Sequence, residues 1–502
     1  MNRSKDFDFD DLQGLLRFGH GHLTDSCFLL LNIADSEAAK QWLSSAPVSN
    51  AALRDPKPET ALQIAFSVAG LQKIGVTDAI LEGFSDEFIV GMSGDESRSR
   101  RLGDIGRNAP KHWDWGGSPA AVPHVLLLLF AKKGGMDAWR KAVESTTFIS
   151  AFTVLRELPT LFIDDKEPFG FADGISQPTI DWSGQQTTDK HQRSKYSNLL
   201  AVGEVVMGYR NEYQQYTLRP LIDPKSDNLA ASLPDAADQP GLKDFARNGS
   251  YLVLRQLGQD VPGFWQFVDK AVDSDPEKRE QLAAAMVGRQ RDGTPLIPPV
   301  EETIPGTAKN DALNHFNYLP DPAGTRCPFG AHIRRANPRT GDLPPRVHGF
   351  FSWLIKTLGF GLKRHDEDLI ASTRFHRLLR RGRAYGPRLS PEQAIKPNAV
   401  VAERGLQFIC LVANISRQFE FVQNAWMMSS HFSGLQQERD PLLGHRETLM
   451  NGSNTDQFSQ PHTDGPAEKT CHLPQFITTR GGGYFFMPGL SALRYIAALP
   501  RQ

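Results

Sequence analysis

The run Val125-Leu126-Leu127-Leu128-Leu129-Phe130-Ala131 limits the folds open to this chain more than any other segment. It falls short of the roughly 18 apolar residues of a membrane span. It is also too apolar for the edge of a sheet, and so predicts a central strand. Residues 27–34 read as a second buried strand, followed by a helix that Asp35 or Ser36 can cap. Leu62, Ala65, Phe66 and Ala69 recur at helical spacing, with Gly75 as the stop. A helix around Met136–Val143 leads to another apolar strand, Phe152–Leu155. The order strand, helix, helix, strand, helix, strand predicts an α+β layer, with helices on one face of a mostly antiparallel sheet.

Between about Trp182 and Tyr196 the chain turns polar, the best linker in the sequence. The second half repeats the grammar of the first. Residues 250–255 and 406–412 read as strands, and Phe264–Val268 opens a helix. Phe419, Phe421, Val422, Ala425 and Trp426 mark an amphipathic helix, and residues 483–488 close the sheet. At 502 residues the chain is long enough for two or three compact domains. A net charge of -1 argues against a general nucleic-acid binder, which needs a basic surface. Cys27, Cys327, Cys410 and Cys471 are scattered, with no zinc spacing or disulfide framework. Reduced thiols in a cytoplasmic protein are the expectation. The N-terminus lacks the apolar core and cleavage site of a signal peptide, and no stretch is long enough to cross a membrane.

Three short motifs carry chemistry. Asp173 lies in Gly170-Phe171-Ala172-Asp173-Gly174-Ile175-Ser176-Gln177-Pro178, a carboxylate on a glycine-flanked turn. His332 lies in Cys327-Pro328-Phe329-Gly330-Ala331-His332-Ile333-Arg334-Arg335, with Arg339 following. Arg380 ends an apolar stretch and is followed by Arg381 and Arg383. An imidazole can hold iron, a carboxylate can move protons, and a guanidinium can stabilise developing negative charge. Together these are what cleaving a peroxide bond requires. Arg334, Arg335 and Arg339 suit pairing with carboxylates such as haem propionates. Asp440 is the candidate carboxylate for the second nitrogen of His332. An aspartate in a partly apolar pocket is expected to have a raised pKa. Leu406 and Phe408 flank Gln407 on a strand and project to one face, as ordinary core or as an apolar ceiling over a site. Asp-Gly is also a common turn pair, and a lone histidine beside a Pro-Phe-Gly turn is most often structural.

At these residues the chain resembles the dye-decolourising peroxidases, haem enzymes marked by Gly-x-x-Asp-Gly, here Gly170 to Gly174. The resemblance extends over almost the whole chain. It takes in residues 11–16, 109–114, 248–255, 259–265, 286–289, 417–421 and 479–489. It implies two ferredoxin-like α+β domains, each an antiparallel sheet with helices packed on one face. Residues 1–190 would end with the Gly-x-x-Asp-Gly loop. Residues 191–502 would hold haem b and carry an insertion near 340–372. His332 matches the proximal iron ligand, Asp173 the distal acid–base residue and Arg380 the distal arginine. Leu406 and Phe408 match apolar distal residues, Arg339 a propionate contact, and Asp440 the partner of His332. Hydrogen peroxide and a bulky aromatic electron donor, a dye or a phenol, are the implied substrates, with Tyr385, Trp265 and Trp426 as candidate electron relays. The competing reading is a haem-binding or haem-handling protein with little turnover. A non-haem set drawn from His20, His22 or Cys471-His472 fits no standard metal spacing.

The interval from His332 to Arg380 is longer than is usual in the family. The extra length contains the apolar stripe of residues 347–364, read as an amphipathic helix on the protein's own surface. The alternative is a lid, a surface for a partner or second copy, or a membrane-surface element. Deleting residues 347–364 separates these. Unchanged solubility, oligomeric state and turnover of bulky donors support the first reading, and loss of any one supports the second.

Overall fold

The computed structural model describes residues 7–501 apart from 163–164, 187–192, 194, 309–310, 343–371, 400–401 and 450–451. The 347–364 stripe, and nearly all of the insertion expected near 340–372, lie outside the described residues. So does the middle of the polar stretch read as a linker.

Among the described residues, nine strands form one sheet. They are β1 (Asp25–Ile33), β2 (Thr60–Phe66), β3 (Val125–Ala131), β4 (Phe152–Pro159), β5 (Ser250–Gln259), β6 (Leu379–Arg380), β7 (Arg383–Tyr385), β8 (Gly405–Val412) and β9 (Ile477–Met487). Their order is β6-β8-β5-β9-β2-β3-β1-β4, with β7 also paired to β8, and neighbours run antiparallel. Early strands lie on one side and late strands on the other, meeting where Phe486 of β9 stands opposite Phe66 of β2.

The apolar run at 125–131 is an internal strand, as its composition requires. β3 lies between β1 and β2 with every residue buried. Its side chains alternate between two cores: Val125, Leu127 and Leu129 enter one, and Leu126, Leu128 and Phe130 the other. The principal helices are α1 (Ser36–Ser45), α2 (Val68–Ile74), α3 (Met136–Val143), α4 (Thr146–Ala151), α5 (Val261–Ala271), α6 (Pro276–Val287), α7 (His332–Ala336) and α8 (Leu490–Ala497). Trp42 of α1, Ile74 of α2, Phe148 of α4 and Ile496 of α8 fill the first core. The second is covered by turns and loops carrying Leu12, Leu15, Leu16, Val202 and Val206. Asp35 caps α1 by accepting from the amides of Glu37 and Ala38.

Three expectations change. Leu62, Ala65 and Phe66 lie on a strand, and only Ala69 belongs to a helix, which Gly75 ends with a φ of 108°. Burial of β2 on both faces hides the alternation that would have marked it. Its interior Gln63 is accommodated because its amide bonds to the Ser49 carbonyl and accepts from the Leu15 amide. The segment 416–427 is wound as a π-helix rather than an α-helix. Finally, β9 does not close the sheet at an edge but joins its two groups of strands.

All four cysteines are free. Among the described residues no helix is long and apolar enough to cross a membrane.

Phe486 is fully buried at the joint and packs edge-on against Phe84 at 4.9 Å. Phe486→Ala is expected to cost about 3–5 kcal/mol in urea denaturation, as a truncated core aromatic does. A loss no larger than that of a surface substitution, about 0.5 kcal/mol, would contradict the importance of this joint.

Candidate active site

The register of a three-strand corner decides where the arginine points. Arg380 on β6 stands opposite Cys410 on β8, and directly opposed residues share a face. The two-residue period then places Phe408 and Leu406 on that face as well, and both are half-buried. Arg380 is also gripped by an amide. Gln177 Oε1 accepts from the Arg380 backbone N at 3.0 Å, and Gln177 Nε2 donates to the Arg380 carbonyl at 3.1 Å. Sequence reasoning missed this role for Gln177, although the residue lies inside the Asp173 motif. Arg381 bonds the Leu15 carbonyl, and Arg383 bonds those of His20 and Leu23. Of the three arginines, Arg380 pairs with Asp173, Nη1 to Oδ1 at 2.8 Å.

Asp173 sits on a bend that two glycines permit, Gly170 at φ 99° and Gly174 at φ 79°. Its backbone amide donates to the Asp165 carbonyl at 2.9 Å, and that of Ala172 to the Arg291 carbonyl at 3.0 Å. The loop is therefore anchored at Asp173 and at the residue before it.

His332 opens α7. Its Nδ1 lies 3.0 Å from Asp440 Oδ2, and the Asp440 side chain has no exposed surface. The other oxygen of Asp440 accepts from the amides of Leu442 at 3.0 Å and Leu443 at 2.7 Å. Asp440's own amide donates to the Met427 carbonyl at 3.0 Å, at the end of the π-helical segment. Arg335, one turn along α7, donates to the carbonyls of Trp426, Ser429 and Glu438. The histidine helix and the aspartate turn are thus both fastened to the same segment.

Burial is the largest single influence on both His332 and Asp173. Their side chains nevertheless keep 31% and 39% of their surface open, and Arg380 keeps 31%. The charges of Asp173 and Arg380 are felt at His332, so the two pairs lie near one another. Burial alone would lower the His332 pKa, but Asp440 more than offsets it and the net direction is up. Burial would raise that of Asp440, but His332, Arg335 and the Leu443 amide bring it below the usual carboxylate range. An ionised Asp440 keeps the proton on His332 Nδ1 and leaves the Nε2 lone pair for another partner.

Asp173 departs from expectation. Burial pushes its pKa up as anticipated, but the Arg380 guanidinium and the Gly174 amide more than offset that, and the carboxyl titrates below its ordinary value. The arginines near His332 also differ from the reading as a propionate cluster. Arg334 turns into the protein to meet Asp321 and the Cys327 carbonyl. Arg335 spends its bonds on backbone carbonyls, and Arg339 bonds Asn314 and the Phe316 carbonyl. Tyr385, Trp265 and Trp426 are all buried, so none can touch a donor at the surface. His20 packs on Phe130, His22 bonds the Pro58 carbonyl, and His472 lies beside Asp456, so they form no common site.

No family profile matches the chain. It is 29% identical over 531 residues to a dye-decolorizing peroxidase of Mycena epipterygia, spanning 98% of this chain and 87% of that one. It is also 29% identical over 449 residues to a multifunctional dye peroxidase of Amycolatopsis sp., spanning 86% and 81%. Among solved structures, AauDyP complexed with imidazole superposes with a TM-score of 0.71 at 25% identity, covering 98% of this chain and all of that one. Over nearly its whole length the chain is similar to dye-decolourising peroxidases. That similarity implies haem, and the residues present suit it. His332 has Nδ1 bonded to Asp440, which leaves Nε2 as its free ligating nitrogen. Arg339 and Arg377 flank the Tyr196 ring at 5.4 and 5.9 Å. Burial would raise the Tyr196 phenol, yet those two cations bring it below its ordinary value. A buried positive field of that kind is suited to a propionate.

The Asp173–Arg380 pair gives a pH-dependent contribution to stability. Because the folded pKa is depressed, the contribution is complete above the unfolded value of about 3.9 and lost as pH falls through the folded one. Arg380→Leu should therefore destabilise the protein more at pH 6 than at pH 3, measured as urea midpoints. An equal loss at both would show that the pair contributes nothing through charge.

Proposed function

We propose that the chain is a haem-dependent peroxidase that reduces hydrogen peroxide and oxidises bulky aromatic donors, such as dyes and phenols, by one-electron steps. The observation that carries this reading is that the Asp173–Arg380 pair lies close enough to the His332–Asp440 pair for its charges to act on the histidine, while His332, Asp173 and Arg380 all keep accessible side-chain surface. The related proteins named for dye peroxidation support the donor class.

Haem b, held through His332 Nε2, would supply the electrons that peroxide takes and would regain them singly from the donor. Asp440 fixes the imidazole tautomer and strengthens it as a ligand. Asp173, ionised under the Arg380 guanidinium, takes a proton from hydrogen peroxide and returns it to the oxygen that leaves as water. Arg380 stabilises negative charge developing on that oxygen, at no reorganisation cost because Gln177 and the strand register hold it in place. Leu406 and Phe408 restrict entry to small reactants, while Arg339, its own hydrogen bonds given to Asn314 and the Phe316 carbonyl, joins Arg377 in supplying positive charge for a propionate. Two ferredoxin-like halves, residues 1–190 and 191–502, would meet at the β9–β2 joint, and the described strands divide between its two sides accordingly. Four free thiols suit a reducing compartment such as the cytoplasm.

Asp173→Asn removes the proton carrier and keeps the shape. It should slow the spectral change that peroxide causes in the haem-loaded protein by about 10²–10⁴-fold, the usual worth of a general acid–base group. The low Asp173 pKa also predicts that Asp173 stays ionised into the acid range, so that its own titration does not limit the wild-type rate there. Equal rates for wild type and Asp173→Asn across that range would reject the assignment and favour the haem-handling alternative.

A further inference from the structure

The loop that carries Asp173 is organised around one acidic side chain that the peroxidase chemistry does not use. Glu167 Oε2 accepts from the Phe169 amide at 3.0 Å and from Gln259 Nε2 at 2.9 Å, and its Oε1 accepts from the Phe171 amide at 3.0 Å. Its backbone closes the same turn. The Glu167 amide donates to the Phe171 carbonyl at 2.9 Å, and the Gly170 amide to the Glu167 carbonyl at 2.8 Å. Lys166 and Ala172 bridge one residue further out on each side, which delivers the chain directly to Asp173. Gln259, at the end of β5, ties this small closed loop to the sheet.

The outer side of the loop borders a cleft of about 150 Å³ lined by Lys166, Glu167, Gly170, Arg291, Arg388 and Glu392 among others. The cleft gives solvent protons a way in. Burial pushes the Glu167 carboxyl up to about 7, and the two amides and Gln259 offset this only in part. The charge of Asp173 pushes in the same direction as burial. The other charges around the loop are Lys166, Arg388, and Arg291 with its partners Glu280 at 2.8 Å and Glu392 at 3.5 Å.

We propose that Glu167 is a positioning residue for Asp173, and that its charge state sets how firmly the loop holds Asp173 against Arg380. This rests on the reading of Asp173 as the proton carrier. As a carboxylate, Glu167 can satisfy all three donors. Once protonated, one oxygen carries a hydrogen and is a poorer acceptor, so part of the cradle loosens. The loop is then tightest above neutral pH and looser below it.

Two measurements on the haem-loaded protein test this across pH 5 to 8: hydrogen–deuterium exchange of residues 165–174, corrected for intrinsic exchange, and the rate of the peroxide-induced spectral change. In the wild type both should show an inflection near the Glu167 value of about 7. Glu167→Gln, of equal size and without the charge, should lose the inflection in both. Gln259→Met removes a donor that favours the ionised form and should move the inflection to higher pH, a shift that a purely structural role would not produce. It also serves as the deciding variant if Glu167→Gln does not fold. Identical exchange and rate profiles in the wild type and whichever variants fold would overturn the proposal. Peroxide inertness of the wild type would defeat the functional reading instead, and the exchange profiles would still decide whether Glu167 governs the loop.

Discussion

The hydrogen bond between His332 Nδ1 and the fully buried Asp440 carboxylate sets the chemistry of the whole site. Without it the imidazole would be free to rotate, to change tautomer and, at its depth, to favour one neutral form over another with no fixed direction for its second nitrogen. The bond makes Nε2 the available lone pair and fixes its direction. Its surroundings keep the aspartate ionised, through two backbone amides, the Arg335 field and the histidine itself. Much of the local structure serves that pair. Arg335 fastens α7 to the π-helical segment, and the Asp440 amide fastens the aspartate turn to the same place.

The opposite wall is built by sheet register instead of helix ties. Arg380 shares a sheet face with Cys410 because the two are paired, and the same two-residue period brings Phe408 and Leu406 to that face. Asp173 reaches that wall on a loop, and the ion pair with Arg380 joins the two parts. The consequence for protonation is opposite to that of an isolated buried carboxyl. A neighbouring fixed cation outweighs desolvation, and Asp173 is kept as a base. The wall carries its charge on a guanidinium that cannot be neutralised at ordinary pH.

Strongly apolar segments made the fold readable. The run 125–131 could only be an internal strand, and Asp35 and Gly75 mark helix ends through backbone requirements that few residues meet. β2 was read as a helix because a strand buried on both faces shows no alternation, and a chance i, i+3, i+4 pattern then dominates. The π winding at 416–427 has no compositional signature distinct from an α-helix. At the site, residues with rare chemistry in short motifs could be picked out singly. Their partnerships could not, because Asp440 lies far from His332 in sequence and Arg380 far from Asp173. The sequence also shows arginines as a cluster of charge, whereas the structure sends Arg334, Arg335, Arg381 and Arg383 to interior carbonyls and to Asp321. Gln177 lies inside the Asp173 motif, but in sequence an amide that clamps a backbone looks like any loop glutamine.

Ligand rescue tests the central claim most directly. Haem is titrated into the wild type and into His332→Ala, with the Soret band recorded before and after imidazole is added. The account predicts a saturable histidine-ligated spectrum for the wild type, its loss in His332→Ala, and its return when free imidazole enters the space left by the side chain. An unaltered spectrum in His332→Ala without imidazole would contradict it.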